Sequence, residues 1–217
     1  DKFRSVATAA LTSASRSGFV PARMIARVVG HVASAQLVLR RDGRIYCRFL
    51  NDAVRDAAAA RRWSARVAVN ADALAELARW VHATCRLGPA PIHEPPRRPA
   101  EVTLATDASD FAYGGGVIEA AHLPDAETRV VRGTFSAADC LRGSTWREMR
   151  GAHRVFTGVP ADTGAHRRVT LLTDSLSFAQ IFARGGSQTR SESGDLALHR
   201  EFLALEHAAC QLHCDVA

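Results

Sequence analysis

The sequence predicts a small helical region over residues 1–88, a proline-rich linker over 89–100, and an α/β domain over 101–217. That domain is expected to hold a mixed five-stranded sheet with flanking helices. Three observations carry the expectation. Apolar residues recur at helical spacing through roughly the first ninety positions. Pro89, Pro91, Pro95, Pro96 and Pro99 then crowd one short stretch, where neither helix interior nor central strand tolerates them. Beyond it, short β-branched runs alternate with helical stretches, the order of a sheet covered by helices.

Each element has its own signal. Residues 3–16 are amphipathic and end at Ser17-Gly18. Pro21 suits a helix first turn, and 22–39 follows with Ile25, Val28, Val29 and Val32 on one face. A further helix is expected over 45–60, with Phe49, Leu50, Val54 and Ala57 inward. Trp63 falls in a connector. Asn70 reads as the N-cap of a helix over 71–86 striped by Leu74, Leu77, Trp80 and Val81. After the linker, 102–106 is a strand, and 111–118 is a second that carries Gly114-Gly115-Gly116. Pro124-Asp125 turns the chain into a third strand over 128–135. A helix over 145–156, a fourth strand over 169–173 and a helix over 175–183 come next. Residues 184–193 are a polar loop, 195–209 a last helix, and 211–216 the start of a fifth strand. The order is β-β-β-α-β-α-α-β.

Composition narrows the function. Lys plus Arg is 28 and Asp plus Glu is 22, a net charge of +6, and Lys2 is the only lysine. Arginine's planar fork pairs well with phosphate; a GC-rich genome writes the same bias. No apolar run approaches the roughly 18–20 residues of a membrane span, and no membrane partner is expected. Asp1-Lys2-Phe3-Arg4 does not open a signal peptide, and a start without methionine reads as a piece of a longer polypeptide. Five cysteines without a CxxC indicate a reduced, intracellular protein. His207, Cys210, His213 and Cys214 cluster near the end, but their spacing fits no standard zinc module.

The chemistry rests on three acids. Asp107 closes the run Val102-Thr103-Leu104-Ala105-Thr106, and Asp174 closes its near-copy Val169-Thr170-Leu171-Leu172-Thr173. If the two runs are adjacent strands, both aspartates emerge at one sheet edge. Glu148, at the start of a helix between them, can meet them there. Acids this close repel, and an oxygen-only ligand set suits Mg²⁺ or Mn²⁺. Two such ions about 3.5–4 Å apart can hold the attacking and leaving oxygens of a phosphodiester in line. Each acid also has a plainer role open to it. Asp107-Ala108-Ser109-Asp110 is good turn chemistry, Asp174 precedes a helix it could cap, and Thr145-Trp146-Arg147-Glu148 matches a capping box.

Other groups point to a polyanion. The glycine run does not lead from a strand into a helix, so it is no phosphate loop; it marks close backbone approach, by nucleic acid at Gly115 or by sheet packing. Gly185 to Ser191 is a polar loop able to meet a substrate backbone through Ser187 and Arg184 or Arg190. Arg147, Arg150 and Arg154 line one helix face, either as a phosphate track or as a solvated face.

Thr106-Asp107-Ala108-Ser109 before a glycine-rich strand resembles the opening of a ribonuclease H domain. Arg147-Glu148-Met149 resembles the acid-bearing helix of that family, and Leu172-Thr173-Asp174-Ser175 its fourth-strand signature. Gly185-Gly186-Ser187 is similar to the form in retroelement polyproteins, especially those of tyrosine-recombinase retrotransposons. The preceding helical region, through Ala26-Arg27-Val28-Val29-Gly30-His31-Val32-Ala33-Ser34 with Trp63 and Trp80, resembles a reverse transcriptase thumb or connection region. The resemblance implies a ribonuclease H-like fold that hydrolyses the RNA strand of an RNA–DNA hybrid with two Mg²⁺ (or Mn²⁺) ions. Asp107 would bridge them, with Glu148 and Asp174 completing the set, and Ser109, Gly115 and Arg147 would lie near the substrate. The rest of a reverse transcriptase polyprotein is the implied partner. The family adds an Asp beyond the fifth strand, and Asp215 falls too early for it. No Tyr-x-Asp-Asp motif is present, so DNA synthesis is not expected of this segment. Two rivals remain: a non-catalytic nucleic-acid-binding module of the same fold, and an actin-like phosphotransferase, which wants a second glycine-rich phosphate motif.

Overall fold

The structure, a computed structural model, describes residues 2–35, 46–86, 101–120, 129–164, 167–184, 194–212 and 215–216. The chain divides into two compact units, Asp1–Glu94 and Pro95–Ala217. Among the described residues no helix is long and apolar enough to cross a membrane.

The first unit packs α1 (Lys2–Ser17), α2 (Ala22–Ser34), α3 (Arg48–Ala59) and α4 (Ala71–Arg86) around one core. Ile25, Val28 and Val32 of α2, Phe49, Leu50, Val54 and Ala57 of α3, and Leu77 and Trp80 of α4 are buried, as their spacing requires. The Asn70 side chain accepts from the Ala73 N–H at 2.9 Å, the expected cap. A carboxylate from α4 does the same for α3: Glu76 accepts from the Phe49 and Leu50 N–H groups at 3.2 and 2.9 Å. Burial still pushes its pKa up to about 7, against those amides.

One feature of this unit escapes periodicity. β1 (Phe19–Pro21) pairs antiparallel with β2 (Arg66–Ala68), Val20 opposite Val67. Three-residue strands are too short to show alternation. Gly18, at φ +68°, turns the chain out of α1 with its N–H on the Ala14 carbonyl. α2 ends at Ser34 rather than 39; residues 36–45 lie outside the described residues.

The second unit is a mixed sheet. β3 (Val102–Ala108), β4 (Ala112–Ala120) and β5 (Val130–Thr134) form an antiparallel meander. β6 (Arg168–Leu172) lies parallel beside β3, and β7 (Asp215–Val216) parallel beside β6. Four strands carry this sheet, and the fifth segment is two residues long. The expected strand from 211 is corrected: the last helix runs on to Gln211, because Leu205 and Ala209 continue its buried stripe.

The helices are α5 (Ala137–Cys140), α6 (Ser144–Gly158), α7 (Ala161–Gly164), α8 (Leu176–Arg184) and α9 (Gly194–Gln211). The short α5 carries a true capping box, Ser136 with Asp139. α6 crosses β3 and β4, burying Met149, Ala152, Val155 and Phe156, and α9 packs against α6. Gly151 lets it lie close: a Cβ there would come within 3.1 Å of the Tyr113 Cβ and 3.3 Å of the Ala108 Cβ. Phe178, Phe182 and Phe202 stack edge to face between α8 and α9.

An ion cluster joins α6 to α9. Arg150 Nη1 donates to both oxygens of Glu201 at 3.0 Å, and His153 Nδ1 lies 2.6 Å from Glu201 Oε1. Burial alone would raise the Glu201 pKa, but hydrogen bonds from His153 and Arg150 outweigh it and hold it below the ordinary 4.5. Breaking a buried pair leaves its partner charge stranded. Glu201→Ala is therefore expected to lower the unfolding free energy by about 2–4 kcal/mol at pH 7. A depressed carboxylate pKa gives stability that is present above 4.5 and lost as pH falls. Urea unfolding of parent and variant should thus converge as pH drops below 4.5.

Candidate metal centre

The register of two parallel strands sets the site. Val102 pairs with Val169 and Ala105 with Leu172. The same register puts Asp107 opposite Asp174, two positions past the last pair, at one sheet edge. The Thr106 hydroxyl donates to the Leu172 carbonyl at 3.4 Å and ties these strand ends together. α6 crosses here and delivers Glu148. One carboxylate oxygen from each of Asp107, Glu148 and Asp174 lies within 4.8 Å of the others. The three acids could hold a metal ion.

The plainer roles open to these acids are filled by neighbours. Asp107 lies inside β3, and the turn after it is built by Ser109, whose hydroxyl accepts from the Phe111 and Ala112 N–H groups at 3.3 and 3.0 Å. α8 is capped by Ser175, whose hydroxyl accepts from the Phe178 N–H at 3.3 Å. That leaves Asp174 one residue outside. α6 starts two residues earlier than the capping-box pattern requires. Its N-cap is Gly143, with no side-chain cap, and Glu148 falls past the first turn. All three carboxylates are left to the site.

The electrostatics are those of crowded anions. Glu148 is 9% exposed, while Asp107 and Asp174 face solvent. Burial, then the charges of Asp107 and Asp174, push the Glu148 pKa up to about 7, only partly offset by the Ala108 amide and Arg147. Its Oε2 is buried with no hydrogen-bond partner among the described residues. An orphaned acceptor beside two carboxylates fits a hard divalent cation, which would satisfy the oxygen and cancel the repulsion.

This gives a pH prediction for the metal-free protein. The folded state holds the Glu148 proton up to about pH 7, whereas the unfolded chain releases it near 4.5. Stability from this group is therefore present below 4.5 and lost as pH rises to 7. Glu148→Gln removes the titration. Its thermal midpoint should match the parent at pH 4.5, exceed it increasingly up to pH 7, and stay above it beyond. Saturating Mg²⁺ should raise the parent midpoint at pH 8 and leave the variant nearly unmoved.

The remaining predicted residues are more dispersed. Ser109 is in the hairpin turn beside Asp107. Gly115 lies in β4 opposite Thr106, and a Cβ there would meet the Ala105 carbonyl and Val155 of α6, so packing alone accounts for it. Arg147 turns its donors onto the protein: Nε to the Ser109 carbonyl at 3.2 Å, Nη1 to the Cys140 carbonyl at 3.3 Å and to that of Arg142, Nη2 to Asp110. It pins the turn beside Asp107 to the segment leading into α6. Arg150 is bound by Glu201, and Arg154 is exposed. Arg184 ends α8, while Ser187 and Arg190 lie outside the described residues, as do His213 and Cys214. Asp215 pairs with Arg168, at the end of β6 remote from Asp174. Gly151, beside the Asp107 carbonyl, went unnoticed in the sequence; a glycine inside a helix was its only signal.

No family model matches the chain, and no curated protein matches it. Among solved structures, the chain is similar to a foamy viral protease–reverse transcriptase in complex with double-stranded DNA, at 10% identity and a TM-score of 0.37. All of this chain is covered, and it spans about a third (34%) of the length of that one.

Proposed function

We propose that residues 101–217 form a ribonuclease H-like, metal-dependent endonuclease that hydrolyses the RNA strand of an RNA–DNA hybrid, as part of a retroelement reverse transcriptase. The observation that supports this best is the convergence of Asp107, Glu148 and Asp174 within 4.8 Å. In this reading Asp107, Glu148 and Asp174 would together hold Mg²⁺ or Mn²⁺. The bound ions would activate a water and neutralise charge at the scissile phosphate. The β3–β6 register and α6, which lies close to the sheet at Gly151, bring the three carboxylates together. Ser109, in the turn beside Asp107, with Arg184, Ser187 and Arg190, would meet the substrate backbone, and 2′-hydroxyl contacts would select the RNA strand. Residues 1–88 would be a thumb or connection region, with the rest of the polyprotein as partner. Cys47, Cys140 and Cys210 are free thiols, in keeping with an intracellular setting.

The test is cleavage of an end-labelled RNA–DNA hybrid with Mg²⁺ by the parent chain, Asp107→Asn and Asp174→Asn. Cleavage by the parent alone, leaving 3′-hydroxyl and 5′-phosphate ends, supports the reading. Binding of the hybrid by all three without metal-dependent cleavage would replace it with a non-catalytic binding module.

A further inference from the structure

The positive charge of this chain is not shared between its units. Residues 1–94 hold 15 of the 28 Lys and Arg and seven of the 22 Asp and Glu, so the first unit is +8 and the second −2. No acid occurs from Lys2 to Ala35 or from Ala57 to Ala71. These two acid-free segments meet at the β1–β2 ladder, through the pairs Phe19–Ala68 and Pro21–Arg66 and the Arg23 N–H on the Trp63 carbonyl at 2.9 Å. The two acids of α3, Asp52 and Asp56, both pair with Arg55.

Two aromatic rings stand in this basic surface. Trp63 is 42% exposed and Phe19 46%, whereas Trp80 of the same unit is 2% exposed. Arg23, Arg61, Arg62 and Arg66 are exposed around them. Arg66 and Arg23 are steadied by single bonds to Ser17 at 2.8 Å and Ser64 at 3.3 Å, each using one of five guanidinium donors.

The backbone adds an independent sign. α3 ends in a Schellman turn, with the Arg62 N–H on the Ala57 carbonyl and the Arg61 N–H on that of Ala58. The position between helix and connector has φ +53°, where glycine is preferred, and it is held by Arg61. Among the described residues no other non-glycine has a positive φ. An L-residue is strained here, and that strained position puts a cation two residues before Trp63.

We propose that the β1–β2 face of the first unit binds single-stranded nucleic acid, with phosphates on Arg23, Arg61, Arg62 and Arg66 and a base stacked on Trp63. Arginine-rich surface around accessible aromatic rings is the pattern of sequence-tolerant strand binding. A lipid surface is the other polyanion in reach, but the face is a short rigid ladder, without an apolar helix face to insert. The site is independent of the nuclease reading, since none of its residues belongs to the second unit.

The test uses the full chain and a fluorescein-labelled single-stranded 20-mer, with anisotropy read in EDTA across a salt series. Trp63→Ala should weaken binding about fivefold to a hundredfold, while Trp63→Phe keeps most of the affinity. Arg62→Gln with Arg66→Gln should flatten the log–log salt slope by about 1.4, at about 0.7 per phosphate. Arg61→Gly is the sharpest variant: it should raise the thermal midpoint and yet weaken binding. Asp107→Asn should bind the strand as the parent does, which separates this site from the acid cluster. Parent-like affinity in the Trp63 and arginine variants would overturn the proposal. So would binding confined to duplex, or to anionic phosphatidylserine vesicles.

Discussion

Asp107→Asn is expected to abolish Mg²⁺-dependent hybrid cleavage, by about a thousandfold, the scale of losing one preorganised charge-stabilising group. The same change should make the metal-free protein slightly more stable. Both follow from one arrangement. Asp107 is the strand-borne member of three carboxylates within 4.8 Å, and its charge is the second cause, after burial, of the raised Glu148 pKa. Replacing it with an amide keeps the shape and removes a repulsion. Glu148 should then titrate closer to 4.5, and Mn²⁺ affinity measured by calorimetry should fall at least about tenfold. Asp174→Asn should act the same way with a smaller release of Glu148, since its charge ranks below that of Asp107 among the causes. A variant that lost activity and also stability without metal would mark Asp107 as a structural residue, and the crowded-anion account would fail.

The parts of this site that were legible in the sequence are those a strand can write. Two near-identical runs each closed by aspartate imply adjacent strands, and the parallel β3–β6 register sets the two acids opposite each other. Glu148 was legible only as a helical acid between them. Whether it capped its own helix turned on a shift of two residues at the α6 start, which local pattern cannot fix. Ser109 and Ser175 decided the fate of the two aspartates, because each does the local work that could have claimed its neighbour. The β1–β2 ladder was invisible, since three-residue strands have no period and are held by the helices around them. The α6–α9 ion cluster was half-seen: Arg150 read as one cation in a row, and its partner Glu201 is 51 residues away. The fifth strand was overestimated because 211–216 mixes strand and helix formers, and the buried stripe of α9 extends the helix instead.

Gly115→Ala is expected to cost about 3 kcal/mol of stability or more, whereas Gly114→Ala should be neutral or slightly stabilising. The two positions are adjacent in β4, and chemistry alone gives no reason to separate them. Geometry does. A Cβ at Gly115 would sit 2.2 Å from the Ala105 carbonyl oxygen, 3.1 Å from the Thr106 Cα and 3.0 Å from a Val155 methyl. The first two are backbone atoms and cannot step aside without moving β3. At Gly114 the nearest atom is the Val131 carbonyl oxygen at 3.9 Å, an ordinary contact. Moving β3 at Ala105 and Thr106 moves Asp107, the next residue, so Gly115→Ala should also weaken Mn²⁺ binding, by about tenfold, at temperatures where the variant is still folded. Gly114→Ala should leave metal affinity unchanged, although Gly114 is the residue paired directly with Asp107. Urea unfolding and calorimetric Mn²⁺ titration of both variants decide it. If both fold like the parent, hold Mn²⁺ like the parent and lose only hybrid binding, the glycines admit a nucleic-acid backbone rather than the chain's own.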